Sequence, residues 1–250
     1  MKDQQEENPF FSTSFGQTLS GSNQRHDAMT RDNITQAEEM ALNQIASDDQ
    51  ILRIVSDGTG PTSNAVADGR SMSLGDVLEQ RISDLTALKE KGVSWSESNQ
   101  YNLDFYKTLS ENPRFSQLKI SDCVDYTATD VSEVSKKEYT AYTKMATFQF
   151  PEDSTRYVTY AGTGPEVTSW LEDGRMATTA SGVQAQKAAS KYLNSVMKEY
   201  SGDDFIVAGY SKGGNEALYA GAMLSEEDLK RLYKLRNFDG PGMGSELLEN

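Results

Sequence analysis

Apolar residues are spaced with the period of a helix over much of the first half of the chain. Positions three and four residues apart predict helices over about 36–56, 73–92 and 99–109. Ser73 and Asp76 give the second helix a start of the capping-box type, and glycine or proline follows each predicted end. This part of the chain is therefore predicted to be mostly helical, and nothing in its pattern indicates chemistry.

From about residue 139 the apolar positions alternate with polar ones, as expected of half-buried strands. The alternation over 142–150, a turn at Pro151 and a second run over 156–160 predict a hairpin. The later predicted elements are a helix over 183–200, a strand over 205–208, a helix over 212–224, a helix over about 225–233 and a strand over 235–238. Strands that alternate with helices imply a mostly parallel sheet flanked by helices, which is the α/β class.

The opening segment has a different composition. Residues 1–35 are rich in Ser, Asn, Gln and Asp and show no sustained apolar period. Such a segment buries too little apolar surface to offset the entropy of ordering it. We therefore predict a disordered or loosely attached tail over 1–35, a helical region over 36–112 and an α/β domain over 113–250.

The composition indicates a globular protein. Hydrophobic residues make up 36% of the 250 residues, and no apolar run approaches the ~20 residues that span a bilayer. A net charge of −14 argues against nucleic acid as a partner and against electrostatic docking to anionic lipid. The N-terminus has no apolar signal-peptide segment and the single Cys123 fits a reducing compartment. We expect a cytoplasmic location, with signal-free export left open.

One motif indicates chemistry. The apolar run 205–208 leads into G-x-S-x-G, the pattern that holds a serine on a sharp strand-to-helix turn, formed here by Gly209, Tyr210, Ser211, Lys212 and Gly213. Ser211 is the predicted nucleophile, and the backbone N–H of Lys212 is the predicted first donor to the oxyanion that develops during attack. The alternative is that Ser211 is an ordinary helix N-cap.

A second oxyanion donor is expected from a loop that follows an earlier strand. The segment of Tyr160, Ala161, Gly162 and Thr163 fits, because it ends the strand predicted over 156–160 in a glycine-containing turn. A plain strand-to-loop turn is the alternative interpretation. Patterns for phosphate-binding loops and for zinc ligands do not occur in the chain, so no cofactor and no metal is predicted.

These segments together resemble the class 3 lipase-like α/β-hydrolases. The resemblance covers about residues 98–250 and rests on the turn at 160–163, on Trp170 and Asp173, and on the elbow at 209–215. It is closest to a bacterial branch of largely uncharacterised proteins whose elbow reads Gly-His-Ser-Lys-Gly-Gly-Asn, with a later Asp-Gly-Pro-Gly that matches 239–242. The resemblance implies an α/β-hydrolase-like fold, with Ser211 as nucleophile and Thr163 as an oxyanion contributor.

Three departures separate the chain from this pattern. Ala161 replaces the family's common Arg, and Tyr210 replaces its common His. The third departure concerns the triad, which in α/β-hydrolases runs Ser, then Asp or Glu, then His. No histidine follows Ser211, and the single His26 belongs to the polar tail.

Three interpretations account for the missing base. The resemblance places the acid and the His beyond 239–242, so the first is a hydrolase domain that is incomplete at its C-terminus. The second has His26 reach the site, and the third is a scaffold that has lost catalysis. Asp239 is a candidate acid, because it follows the first strand after the nucleophile helix. Lys212 as a base is disfavoured, because neighbouring positions at a helix start point in different directions.

The sequence thus predicts a serine hydrolase of the lipase or esterase type. It would cleave a small-molecule or lipid acyl ester through a seryl acyl-enzyme, and this chain alone would be inactive or weak for lack of a base. The competing hypothesis is a non-catalytic binding module on the same scaffold. Nothing in the sequence indicates an oligomeric state.

Overall fold

The computed structural model describes residues 27–92, 95–131, 138–162, Met176 and 182–243. In these ranges the chain forms eight helices, which are α1 (Gln36–Ser47), α2 (Asp49–Val55), α3 (Leu74–Glu90), α4 (Glu97–Ser110), α5 (Pro113–Ser116), α6 (Gln184–Glu199), α7 (Lys212–Ala222) and α8 (Glu226–Leu229). The same ranges contain six strands, which are β1 (Ser71–Ser73), β2 (Lys119–Val131), β3 (Glu138–Gln149), β4 (Thr155–Tyr160), β5 (Asp204–Tyr210) and β6 (Leu232–Phe238). The predicted α/β class is confirmed.

All six strands form one sheet in chain order, from β1 at one side to β6 at the other. The strands β1 to β4 pair antiparallel, and β4, β5 and β6 pair parallel. The sheet is therefore mixed, and the prediction of a mostly parallel sheet was wrong for the described residues. The hairpin explains part of this, because the short turn between β3 and β4 only permits reversal, whereas a parallel neighbour needs a long crossover.

Helices cover both faces of the sheet. On one face, helices α1 to α5 share a hydrophobic core with strand residues that include Phe148, Tyr157 and Ile206. On the other face, α6 and α7 pack against Val158 and Val207. The helices of the region 36–112 thus contribute to the same packing as the strands, and the division at residue 113 stays a prediction.

The predicted helix over 36–56 is two helices, because Asp48 ends one and starts the next. Its Oδ1 accepts hydrogen bonds from the first amides of α2, while its Oδ2 accepts them from Arg81 Nε at 2.9 Å and from the hydroxyl of Tyr106 at 2.7 Å. Asp48 thus caps α2 and also binds Arg81 and Tyr106, and these contacts divide the helix although the apolar spacing continues through it. The predicted helix over 225–233 is likewise shorter, since β6 begins at Leu232.

Strand β2 was not predicted, and a bulge explains why. Asp122 lies at φ 53°, where the pairing of β2 with β3 shifts between Ser121 and Val124. The carboxylate of Asp122 is buried and accepts hydrogen bonds from the amides of Asp68 and Gly69. The bulge breaks the alternation that identifies a strand, so the pattern there has no clear period. None of the helices in the described part of the chain is long and apolar enough to cross a membrane.

Candidate active site at the carboxyl end of strand β5

Ser211 lies between β5 and α7 in a strained backbone conformation. Its φ is 54° and its ψ is −122°, a region that costs energy for any residue with a side chain. The amide of Ser211 donates to the carbonyl oxygen of Phe238 at 2.8 Å, so β6 holds the turn from one side. A serine on a sharp strand-to-helix turn is the geometry that the G-x-S-x-G pattern predicts.

Ser211 differs from the serines that cap the other helices. Ser73, Ser96 and Ser225 have negative φ values of −59°, −102° and −67°, and each side chain accepts a hydrogen bond from the amide three residues on. Among the residues described, Ser211 makes no such side-chain bond to its helix. The geometry therefore disagrees with the interpretation of Ser211 as an ordinary N-cap.

Glycines let three backbone segments converge at the elbow. A Cβ at Gly209 would lie 2.0 Å from the carbonyl oxygen of Gly213, and a Cβ at Gly213 would lie 2.1 Å from that of Tyr160. Neither approach is possible for a residue with a side chain, because the clashing atoms are backbone atoms. The two glycines of the motif are thus required by the packing of α7 against the ends of β4 and β5.

One of the two predicted oxyanion donors, the Lys212 amide, belongs to the residue that follows Ser211. Lys212 is the first residue of α7, at the positive end of the helix dipole. The turn after β4 is close, because a Cβ at Gly162 would lie 3.8 Å from the Cβ of Ser211. The amide of Ala161 donates to the carbonyl of Lys144 within the sheet. Thr163, the other predicted contributor, lies outside the described residues.

The side chain of Lys212 is buried in the protein. Its ammonium donates to the carbonyl oxygen of Tyr142 and lies 3.9 Å from Oε1 of Glu216, and both charged side chains are at most 1% exposed. Oε2 of Glu216 accepts a hydrogen bond of 2.6 Å from the hydroxyl of Thr143. This buried pair joins the first turn of α7 to β3. The contacts of Lys212 agree with the expectation that it is not the base for Ser211.

Asp239 follows β6 beside the elbow and also has a positive φ, at 55°. The next residue, Gly240, is so close to Ser211 that a Cβ there would lie 2.3 Å from the Ser211 carbonyl oxygen. Burial raises the pKa of the Tyr210 hydroxyl, and the negative charge of Asp239 raises it further. Two strained residues, Ser211 and Asp239, thus lie at the ends of the adjacent strands β5 and β6, and Asp239 is exposed to solvent.

Several residues of the site had no predicted role. Glu216, Thr143, Asn215 and Gln186 are buried polar residues around α7. The i, i+4 spacing of Lys212 and Glu216 on a helix of small residues is a signal that the sequence did contain. Thr143, Asn215 and Gln186 make hydrogen bonds to residues far away in the chain, and no local pattern encodes such contacts.

Some predicted residues cannot be located. His26, Trp170 and Asp173 lie outside the described residues, as Thr163 does. Across the described ranges, no group of three or more His, Cys, Asp or Glu side chains has the arrangement of a metal site.

Comparison with known proteins gives a family and no individual relative. No curated protein matches the chain, and no solved structure does. A family model described as Mbeg1-like matches residues 109–250, a range that contains strands β2 to β6 and the turn at Ser211. This match covers more than half of the chain, which therefore belongs to the Mbeg1-like family.

Proposed function

We propose that the protein is a serine hydrolase of the lipase or esterase type, built on an α/β-hydrolase-like scaffold, with Ser211 as its nucleophile. The observation that carries the proposal is the backbone of Ser211, which is strained at φ 54° on a strand-to-helix turn and is not used as a helix cap. Strain of this kind persists where a site needs it. The resemblance to class 3 lipases supports the same assignment.

The proposed reaction is acyl transfer to the Ser211 hydroxyl. Its oxygen attacks the carbonyl carbon of an ester, its proton passes to a base, and the alcohol leaves with a proton as the acyl-enzyme forms. Water then hydrolyses the acyl-enzyme and restores the hydroxyl. The Lys212 amide and a donor from the turn after β4 would stabilise the oxyanion, and losing one such donor costs about 10²–10³-fold in rate.

The base is the unassigned part of this mechanism. Asp239 is the candidate acid that would orient it, because this residue directly follows the strand that binds the Ser211 amide. The chain contains one histidine, His26, which precedes the elbow. The second candidate function is a non-catalytic binding module in which the elbow is retained as part of the scaffold, because such a module needs no base.

Reaction with a fluorophosphonate separates the two functions. The serine oxygen attacks phosphorus and fluoride leaves, so the product is a stable adduct that intact-mass spectrometry and peptide mapping locate. The wild type is compared with Ser211→Ala and with Ser225→Ala, which removes a serine that does cap its helix. Each protein is assayed with and without added imidazole, which supplies an external base that takes up the proton.

The hydrolase proposal expects an adduct on Ser211 of the wild type and of Ser225→Ala, and none on Ser211→Ala. If the protein lacks only a base, imidazole should accelerate labelling by tenfold or more, in keeping with the ~10²–10⁴-fold typical of general base catalysis. Absence of a Ser211 adduct under both conditions would favour the binding module.

A further inference from the structure

Asn215 links three segments of the protein around Ser211. Its side chain is buried in the first turns of α7. Its Oδ1 accepts a hydrogen bond of 2.7 Å from Nε2 of Gln186, in α6. Its Nδ2 donates to the carbonyl oxygens of Pro241 at 3.2 Å and Gly242 at 3.1 Å. Asn215 thereby ties the start of α6 and the loop that follows β6 to the nucleophile helix.

Gln186 determines which way the Asn215 amide faces. Oε1 of Gln186 accepts from the amide of Val183 at 2.8 Å, which leaves only its Nε2 to face Asn215. An Nε2 group donates and does not accept, so the oxygen of Asn215 turns towards it. The NH₂ of Asn215 is then directed at the two loop carbonyls, which are acceptors only.

The loop 239–242 that Asn215 holds is in contact with the backbone of Ser211. Gly240 approaches the Ser211 carbonyl so closely that a Cβ there would lie 2.3 Å from the oxygen. The amide of Gly240 donates to Oδ1 of Asn237 at 2.7 Å, which fixes the loop from the side of β6. Asp239 sits at the start of this loop with a φ of 55°.

We propose that Asn215 is a positioning residue that holds the loop 239–242, which carries Asp239, in place against the backbone of Ser211. The proposal rests on the proposed hydrolase function in one respect: the position of the loop affects a reaction only if Ser211 reacts. The chain contains Gly-Gly-Asn at 213–215 and Asp-Gly-Pro-Gly at 239–242. Asn215, the last residue of the first segment, binds Pro241 and Gly242 of the second, so this contact gives a physical reason for both segments.

The Asn215→Asp variant tests this role with little change in size. A carboxylate at 215 still accepts from Gln186, but it cannot donate to Pro241 and Gly242 and repels their carbonyl oxygens. We expect the Gly240 amide to exchange its hydrogen at least about tenfold faster, as loss of two hydrogen bonds implies. Fluorophosphonate labelling of Ser211 should slow by a similar factor, while exchange in the core of β5 stays unchanged.

Asn194→Asp is the matched control. Asn194 is exposed on α6, and its Nδ2 donates to the carbonyl oxygen of Ser190 at 2.8 Å within the same helix. The chemical change is the same, but no contact with the elbow is involved. This variant should match the wild type in labelling rate and in exchange at Gly240.

A second variant serves if Asn215→Asp does not fold. Gln186→Glu keeps the acceptor for the Val183 amide and loses the donor to Asn215. The Asn215 NH₂ group should then turn towards the new carboxylate, which brings its oxygen against the loop carbonyls. The expected result is again faster exchange at Gly240 and slower labelling of Ser211.

The outcomes separate this inference from the proposed function. Native exchange at Gly240 and native labelling in the folded Asn215→Asp variant would overturn the positioning role and leave the hydrolase proposal intact. Faster exchange with slower labelling would support both. If the wild type is not labelled at Ser211, the hydrolase proposal fails, and exchange at Gly240 still decides whether Asn215 holds the loop.

Discussion

Replacing Gly213 with alanine tests whether α7 must touch the end of β4. The added Cβ would lie 2.1 Å from the carbonyl oxygen of Tyr160 and 2.8 Å from that of Ala161. Real Cβ atoms do not approach other atoms closer than 3.0 Å, so the first contact has to lengthen by about 0.9 Å. Both clashing atoms are backbone carbonyl oxygens, one at the end of β4 and one in the turn after it, so no side chain can turn aside to relieve the strain.

The displacement should affect stability and reactivity together. Overpacking in a core costs about 1–3 kcal/mol, and each kcal/mol lowers the melting temperature of a chain of this size by about 2–4 °C. We therefore expect Gly213→Ala to melt roughly 2–12 °C below the wild type. A shift of about 1 Å between the Lys212 amide and the turn after β4 should slow the labelling of Ser211 by about 10²-fold.

Gly202→Ala is the control for this substitution. Gly202 lies in the turn before β5, and none of the described residues has a heavy atom within 4 Å of its would-be Cβ. Its stability should stay within about 1 kcal/mol of the wild type, with an unchanged labelling rate. Differential scanning fluorimetry and the time course of adduct formation give the two readouts for both variants.

If Gly213→Ala melts and reacts as the wild type does, the close approach of α7 to β4 is refuted. A lower melting temperature with an unchanged labelling rate would support the close packing of α7 against β4. It would refute the claim that this contact positions the oxyanion donors.

The remaining predictions concern the buried charges. Glu38→Gln breaks the buried pair with Arg114, whose Nε lies 2.6 Å from the Glu38 carboxylate, and should cost about 3–5 kcal/mol in urea denaturation. Glu39→Gln should behave differently, because burial raises the pKa of the Glu39 carboxyl above 4.5. Between pH 4.5 and the raised pKa, the folded protein holds a proton that the unfolded chain has lost. The free energy of unfolding of the wild type should therefore fall as pH rises through this range. The glutamine variant should lack this fall when unfolding is measured across pH. Lys212→Met leaves the Glu216 carboxylate buried without its cation, and should lower both the urea midpoint and the labelling rate, unlike Lys187→Met on the exposed side of α6.

Periodicity was enough to predict the elements around the elbow. The hairpin of β3 and β4, the helix α6 and the alternation of β5 with α7 follow from apolar spacing, because each buries one regular face. The same reasoning failed at Asp48 and at Asp122. In both places a carboxylate accepts hydrogen bonds from distant segments, and this tertiary role interrupts a local period.

The sequence also predicted that Ser211 lies on a sharp strand-to-helix turn, because the glycines around it allow backbone segments to approach closely. The hydrogen bond between Gln186 and Asn215 could not be predicted, because it joins residues far apart in the chain. Nor does the apolar stripe of α1 reveal its partner. A stripe shows which face of a helix is buried, and the sheet face that covers it is set by the whole fold.

A crystal structure of the phosphonylated protein would test the central claim most directly. The account predicts phosphorus bonded to Oγ of Ser211, a Ser211 φ still near 54°, and the phosphoryl oxygen about 2.7–3.1 Å from the Lys212 amide and from one amide of the turn after β4. An adduct on another residue, or a phosphoryl oxygen that faces solvent with no amide beside it, would contradict it.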